Sequence, residues 1–151
     1  MAVPVVVRNG TLFFWNLSAN VGRTSPNRPD DVQLVQLGYA CAAKDPAVDA
    51  KMRPIFAAVV PGAPYTGLPN DPLTIAIIAD QEDRRGSTQD GHISVLTNFA
   101  GGTYGQDHPF IIVGLNFSIR GALPETFPRI DKHPLCPPQL KAVSIAAAGR
   151  I

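Results

Sequence analysis

Two short β-rich runs open the chain. Residues 3–17 read Val-Pro-Val-Val-Val-Arg-Asn-Gly-Thr-Leu-Phe-Phe-Trp-Asn-Leu, with Asn9-Gly10 between the runs. Asn-Gly takes the positive-φ geometry of a type I′ turn without strain, so the pattern predicts a β-hairpin within residues 1–20. Pro4 cannot donate to a ladder, which puts the first strand at a sheet edge. Such an edge offers unpaired backbone groups to another chain. In a strand, Phe13 and Trp15 share one face and Phe14 takes the other, so one face is expected in the core and the other at an interface.

The pattern then becomes helical. Residues 27–37 read Asn-Arg-Pro-Asp-Asp-Val-Gln-Leu-Val-Gln-Leu. Val32, Val35 and Tyr39 fall on one stripe, with Leu34, Leu37 and Cys41 beside it, which predicts a helix over about 28–43. Asn27 is the expected N-cap, Pro29 suits the first turn, and Asp30 and Asp31 complement the helix dipole. Met52, Ile55, Phe56 and Val59 predict a second helix over 47–60, kinked or restarted at Pro54. Asp71-Pro72 repeats the cap-plus-proline start. The run that follows, Leu-Thr-Ile-Ala-Ile-Ile-Ala over 73–79, is apolar on almost every side, so this helix is expected to be central. The cluster Gln81-Glu-Asp-Arg-Arg85 and Gly86 close it. Residues 109–122 suit a helix better than a buried strand, through apolar positions 112, 115 and 119. Residues 140–148 are small and apolar and fit a final strand or a short helix.

Proline alters this picture. It supplies 15 of 151 residues, roughly twice the usual share, and interrupts any coiled coil or long bundle helix. Four prolines in 61–72 predict an extended loop, and five in 124–138 an irregular arm. The length suits a single domain, here 1–151, with enough apolar residues (45%) to exclude disorder. Fold class is therefore expected to be mainly α with an added N-terminal β-hairpin and a proline-rich C-terminal arm, α+β overall.

Thirteen Lys and Arg against 12 Asp and Glu, with no basic block, leave no nucleic-acid footprint. No apolar run reaches the roughly 18 residues of a membrane span. The first residues lack a secretory leader's basic start and long apolar stretch, so the expectation is cytoplasmic synthesis, with any export occurring as part of an assembly.

Candidate chemistry is sparse. His92, His108, His133, Cys41 and Cys136 show no metal-ligand spacing, and no cofactor is expected. Glycines in 101–105 lack a P-loop lysine. No Gly-x-Ser-x-Gly elbow or Cys-His context is visible, and Asp80, Glu82 and Asp83 read as a solvated helix end paired with Arg84 and Arg85. Two cysteines allow one bridge, Cys41 to Cys136, which would pin the arm to the core; the alternative is two unrelated thiols.

A family resemblance rests on three motifs. Asp31-Val-Gln-Leu-Val-Gln36 resembles the Asp-Val-x-x-Val-Gln of the first helix in peptidoglycan-binding-like domains. Ala76-Ile77 and Gln81 match a second motif of that family, with Thr74 displaced by one residue and Asp80 where an aromatic is usual. Gln89-Asp-Gly-His-Ile-Ser94 is similar to its following Asp-Gly turn. The resemblance covers about 21–96 and implies a small helical core with Val32, Val35, Ala76 and Ile77 inside. It implies that Gln36 and Gln81 hydrogen-bond backbone across the helix pair, or, with Tyr65, contact glycan.

On this reading 1–20 is a hairpin extension, 21–96 a peptidoglycan-binding-like core and 97–151 a C-terminal extension. Additions of that size suit partner contacts, since function lives in sites grafted on folds. The expected function is a non-catalytic interaction or structural subunit of a bacterial or phage-related assembly. Its partners would be other proteins or a second copy, with Val5, Val7, Phe13, Trp15, Phe127 and Ile130 as candidate interface residues. The alternative is a genuine peptidoglycan-binding module that targets a separate hydrolase.

Overall fold

A computed structural model describes residues 3–6, 13–84, 88–97 and 110–150, with the backbone alone at 3–6, 13 and 150. Val7, the Asn9-Gly10 turn, Arg85, Gly86, the glycines of 101–105 and His108 lie outside the described residues. Close to half of the described residues are helical, against roughly a third in an average soluble domain, and the sheets among them have two strands each, so the protein is mainly α with small β additions.

Helix α1 (Pro29–Ala42) is the centre. Pro29 occupies its first turn, and every residue from position 31 to position 39 is buried. Nine consecutive positions at 100° each cover all sides of a helix, so α1 is surrounded. The run 73–79 had pointed to α3 (Pro72–Asp83) as the central helix. Instead α3 buries Leu73, Thr74, Ala76, Ile77, Asp80 and Gln81 and leaves Ile75 45% exposed. Apolar content misleads here because Gln33, Gln36 and Gly38 read as polar or neutral yet sit inside. Gly38 has a packing reason: a Cβ there would lie 2.7 Å from Leu115 Cβ, so the glycine permits α4 (Ile111–Ala122) to lie close against α1.

The C-terminal part is no outer arm. Helices α4 and α5 (Pro138–Ala147) both pack on α1, and one apolar cluster runs from Phe14 to Ala147. Ile112, Ile119, Ile130 and Leu140 are all essentially solvent-free. The proline-rich stretch between α4 and α5 folds into turns and a 3-10 turn at Ile130–Lys132. It is fastened by Asp131, whose carboxylate accepts from Ser144 Oγ at 2.7 Å and from Arg129 Nε and an Nη at 2.8 Å.

Helix α2 is only Arg53–Ala57, shorter than the 47–60 expected. Asp45 and Asp49 accept from the N–H groups of Ala47 and Lys51, turning the chain before the helix can begin. Pro54 then sits in its first turn. Phe56 packs on Tyr39 with ring centroids 4.8 Å apart. Asp71 caps α3 as expected, accepting from Leu73 N–H at 2.9 Å. Asn27 does not cap α1. Arg28 holds that position without a side-chain bond, and Asn27 takes a positive φ of 51° with its amide turned to Gly22.

Strands β1 (Val3–Val6) and β2 (Phe13–Asn16) pair antiparallel, Pro4 facing Trp15 and Val6 facing Phe13. Both Trp15 backbone groups bond the Asn116 side chain, N–H to Oδ1 at 2.6 Å and C=O to Nδ2 at 2.8 Å. They therefore point away from β1, and Pro4–Trp15 is a non-hydrogen-bonded pair. The missing N–H of Pro4 thus costs the ladder nothing. Strands β3 (Val21–Gly22) and β4 (His92–Ile93) form a second small pair beside α3.

Asn116 is one of five carboxamides with the same role. Asn16 binds N–H and C=O of Leu96, and Asn27 those of Gly22. Gln36 accepts from Gly62 N–H and donates to Ala63 C=O. Gln81 accepts from Gly91 N–H and donates to His92 C=O. Each amide offers a donor and an acceptor about as far apart as those of a neighbouring strand. Backbone with no ladder partner on that side is paired by a side-chain amide instead, from a helix for Asn116, Gln36 and Gln81 and from outside one for Asn16 and Asn27, which meets the demand that buried backbone groups be satisfied.

Candidate functional site

A cavity of about 270 Å³ lies where the C-terminal end of α1 meets the end of α4 and the turn at 133–135. Ala40, Pro46, Gly121, Ala122 and Leu135 give it apolar walls. Cys41, Lys44, Asp45, Ser118 and His133 bring polar groups to it.

His133 Nε2 stands 3.7 Å from Cys41 Sγ, and His133 Nδ1 accepts the Leu135 N–H at 3.0 Å. An acceptor at Nδ1 places the ring proton of the neutral imidazole on Nε2, facing the sulfur. Burial pushes the Cys41 thiol up to about 12, with Lys44 opposing weakly and Asp45 adding. Burial, then the Lys44 charge, push His133 below its ordinary value. A reactive cysteine needs the reverse, a depressed thiol beside an imidazolium. Asp45 Oδ1 accepts from Ala47 N–H at 2.9 Å and Oδ2 from Ser118 Oγ at 3.0 Å. A metal at Nε2 would require the proton on Nδ1, against the Leu135 N–H. Among the described residues no three His, Cys, Asp or Glu side chains are placed to hold a metal ion.

Sequence reasoning missed the Cys41–His133 contact, which spans 92 residues and no local motif. The Cys41–Cys136 bridge is not formed: both are free thiols. Cys41 faces His133, while Cys136 Sγ lies 3.8 Å from the Pro137 carbonyl oxygen, its thiol pushed up by burial to about 11.

The other expected site residues disperse. Trp15 is fully buried, with its indole N–H donated to the Pro128 carbonyl at 2.9 Å, and Ile130 is fully buried too. Neither is an interface residue on the folded chain. Both faces of β2 go inward: Phe14 and Trp15 point to opposite faces and both are buried, Trp15 against the Pro128 segment and the Phe14 side near Leu96, which Asn16 binds. Phe127 is half-buried against the core. Val5 and Phe13 are described as backbone only. Gln36 and Gln81 are buried and bond backbone, but that of Gly62–Ala63 and Gly91–His92, outside the helices, rather than across the helix pair. Tyr65 is half-buried with its hydroxyl 2.7 Å from Thr74 Oγ1.

The helix end read as solvated is partly internal. Asp80 is buried, accepting from the Tyr39 hydroxyl at 3.1 Å and from Arg84 Nε at 2.8 Å. Burial raises its carboxyl, and the Arg84 charge opposes that. Asp83 meets Lys51 at 3.2 Å on the surface, and Glu82 is exposed. Among the described residues, no helix is long and apolar enough to cross a membrane. Comparison with family models, with curated proteins and with solved structures returned no match.

Proposed function

We propose that the protein is a non-catalytic interaction or structural subunit of a bacterial or phage-related assembly, built on a peptidoglycan-binding-like helical core. The observation that carries this reading is the β1 edge. The far side of β2 is occupied by Asn116, so the ribbon has its open edge on β1, and no described strand pairs there. Because Pro4 and Trp15 form a non-hydrogen-bonded pair, Val6 turns its N–H to the open side, ready for an added strand.

Two further features support the reading. Gln36 and Gln81 use their amides on Gly62, Ala63, Gly91 and His92, which removes them from glycan recognition. The Cys41–His133 pair is held away from nucleophilic protonation states. Light scattering is the test: the protein is expected to self-associate, and Val6→Pro, which removes the outward N–H but no ladder bond, should shift it toward monomer. A strictly monomeric protein that binds cell wall would overturn the reading in favour of a glycan-binding module.

A further inference from the structure

We propose that His133 is a proton-operated gate over the α1–α4 cavity: neutral, its ring closes on Cys41, and protonated, it leaves and opens the thiol to solvent. The geometry supplies the mechanism. In the neutral ring Nδ1 accepts the Leu135 N–H and Nε2–H faces Cys41 Sγ. Adding a proton at Nδ1 sets two N–H donors against each other, so the Leu135 bond must break.

The surroundings do not welcome the charged ring. From α1 it faces the neutral Cys41 thiol and, just beyond the helix end, the Lys44 ammonium. From the following turn it faces Asp45, whose carboxylate oxygens already accept from Ala47 N–H and Ser118 Oγ. From α4 the lining contributes Ser118, Gly121 and Ala122 and no charge. Leu135, 46% exposed beside His133, forms the outer wall and shifts with the ring.

His133 titrates below its ordinary value, so the gate is closed at neutral pH and opens as the pH falls below the ordinary histidine range. The rest of the segment stays anchored, since Asp131 remains bonded to Ser144 and Ile130 remains buried. The opening is therefore local.

The test uses the full chain carrying Cys136→Ser, so that Cys41 is the single thiol. Its reaction with 4,4′-dithiodipyridine is followed from about pH 8 to about pH 5 and divided by the rate of glutathione at each pH, which removes the intrinsic pH dependence of thiolate chemistry. Protection of Cys41 is expected to fall about tenfold for each pH unit below the His133 pKa until the gate is open, while near-UV circular dichroism stays native. His133→Phe, which keeps a ring that cannot titrate, should give a pH-independent ratio; His133→Asn serves where the phenylalanine variant does not fold. Constant protection in the parent overturns the proposal. So does a fall that persists in the His133 variants, because another group or global opening would then be the cause.

Discussion

Replacing Asn116 by leucine isolates the role assigned to the carboxamides. Leucine keeps asparagine's branching at Cγ and its number of side-chain heavy atoms but has no polar group. The Ile112 carbonyl keeps its helical partner, so the loss falls on Trp15, whose N–H and C=O are left buried and unpaired. Each orphaned group costs about 1–3 kcal/mol, offset by about 1 kcal/mol from the added apolar contact, for a net loss of about 1–5 kcal/mol. For a chain of this length that lowers Tm by about 2–20 °C. The chain has one tryptophan, Trp15 itself, fully buried, so urea unfolding read by its fluorescence reports on the perturbed strand. Asn116→Asp keeps an acceptor for the Trp15 N–H but loses the donor and buries a charge, and should cost at least as much. A loss under about 1 kcal/mol for the leucine variant would refute the reasoning, because it would mean the Trp15 backbone is satisfied without the amide.

Other substitutions probe other joints. Gly38→Ala should destabilise by about 1–3 kcal/mol in the same urea assay despite alanine's better helix propensity, since the clash at 2.7 Å is with Leu115 Cβ, which no side-chain rotation can move. Asp71→Ala removes the α3 cap and the contacts to Thr66 N–H and Oγ1, and should cost about 2 kcal/mol by thermal unfolding. Asp131 is held down to about 2 in the folded chain by Arg129, so its contribution is complete above the unfolded value of about 4 and is lost as pH falls toward 2. Asp131→Asn should accordingly flatten the loss of stability across that acid window, read as urea midpoints at stepped pH.

The legible parts of the fold were those set by local chemistry. Proline at the first turn located the starts of α1 and α3, and Asp71 capped α3 as its position implied. The helix at 111–122 followed from apolar spacing alone. Long-range terms decided the rest. Which helix lies at the centre depended on Gly38 admitting α4 and on Gln33 and Gln36 finding partners inside, and a binary pattern cannot register either. That Trp15 and Ile130 belong to the core and not to an interface depends on the segment around Pro128 folding back on β2 and α5, which nothing local shows. The cavity was invisible for the same reason, since Cys41, Ser118 and His133 meet only through tertiary packing.

Co-sedimentation with purified peptidoglycan tests the central functional claim most directly. With Gln36 and Gln81 committed to backbone, the protein is expected to stay in the supernatant at every sacculus concentration. Saturable pelleting, competed by soluble glycan fragments, would contradict the account and identify the chain as a cell-wall binding module.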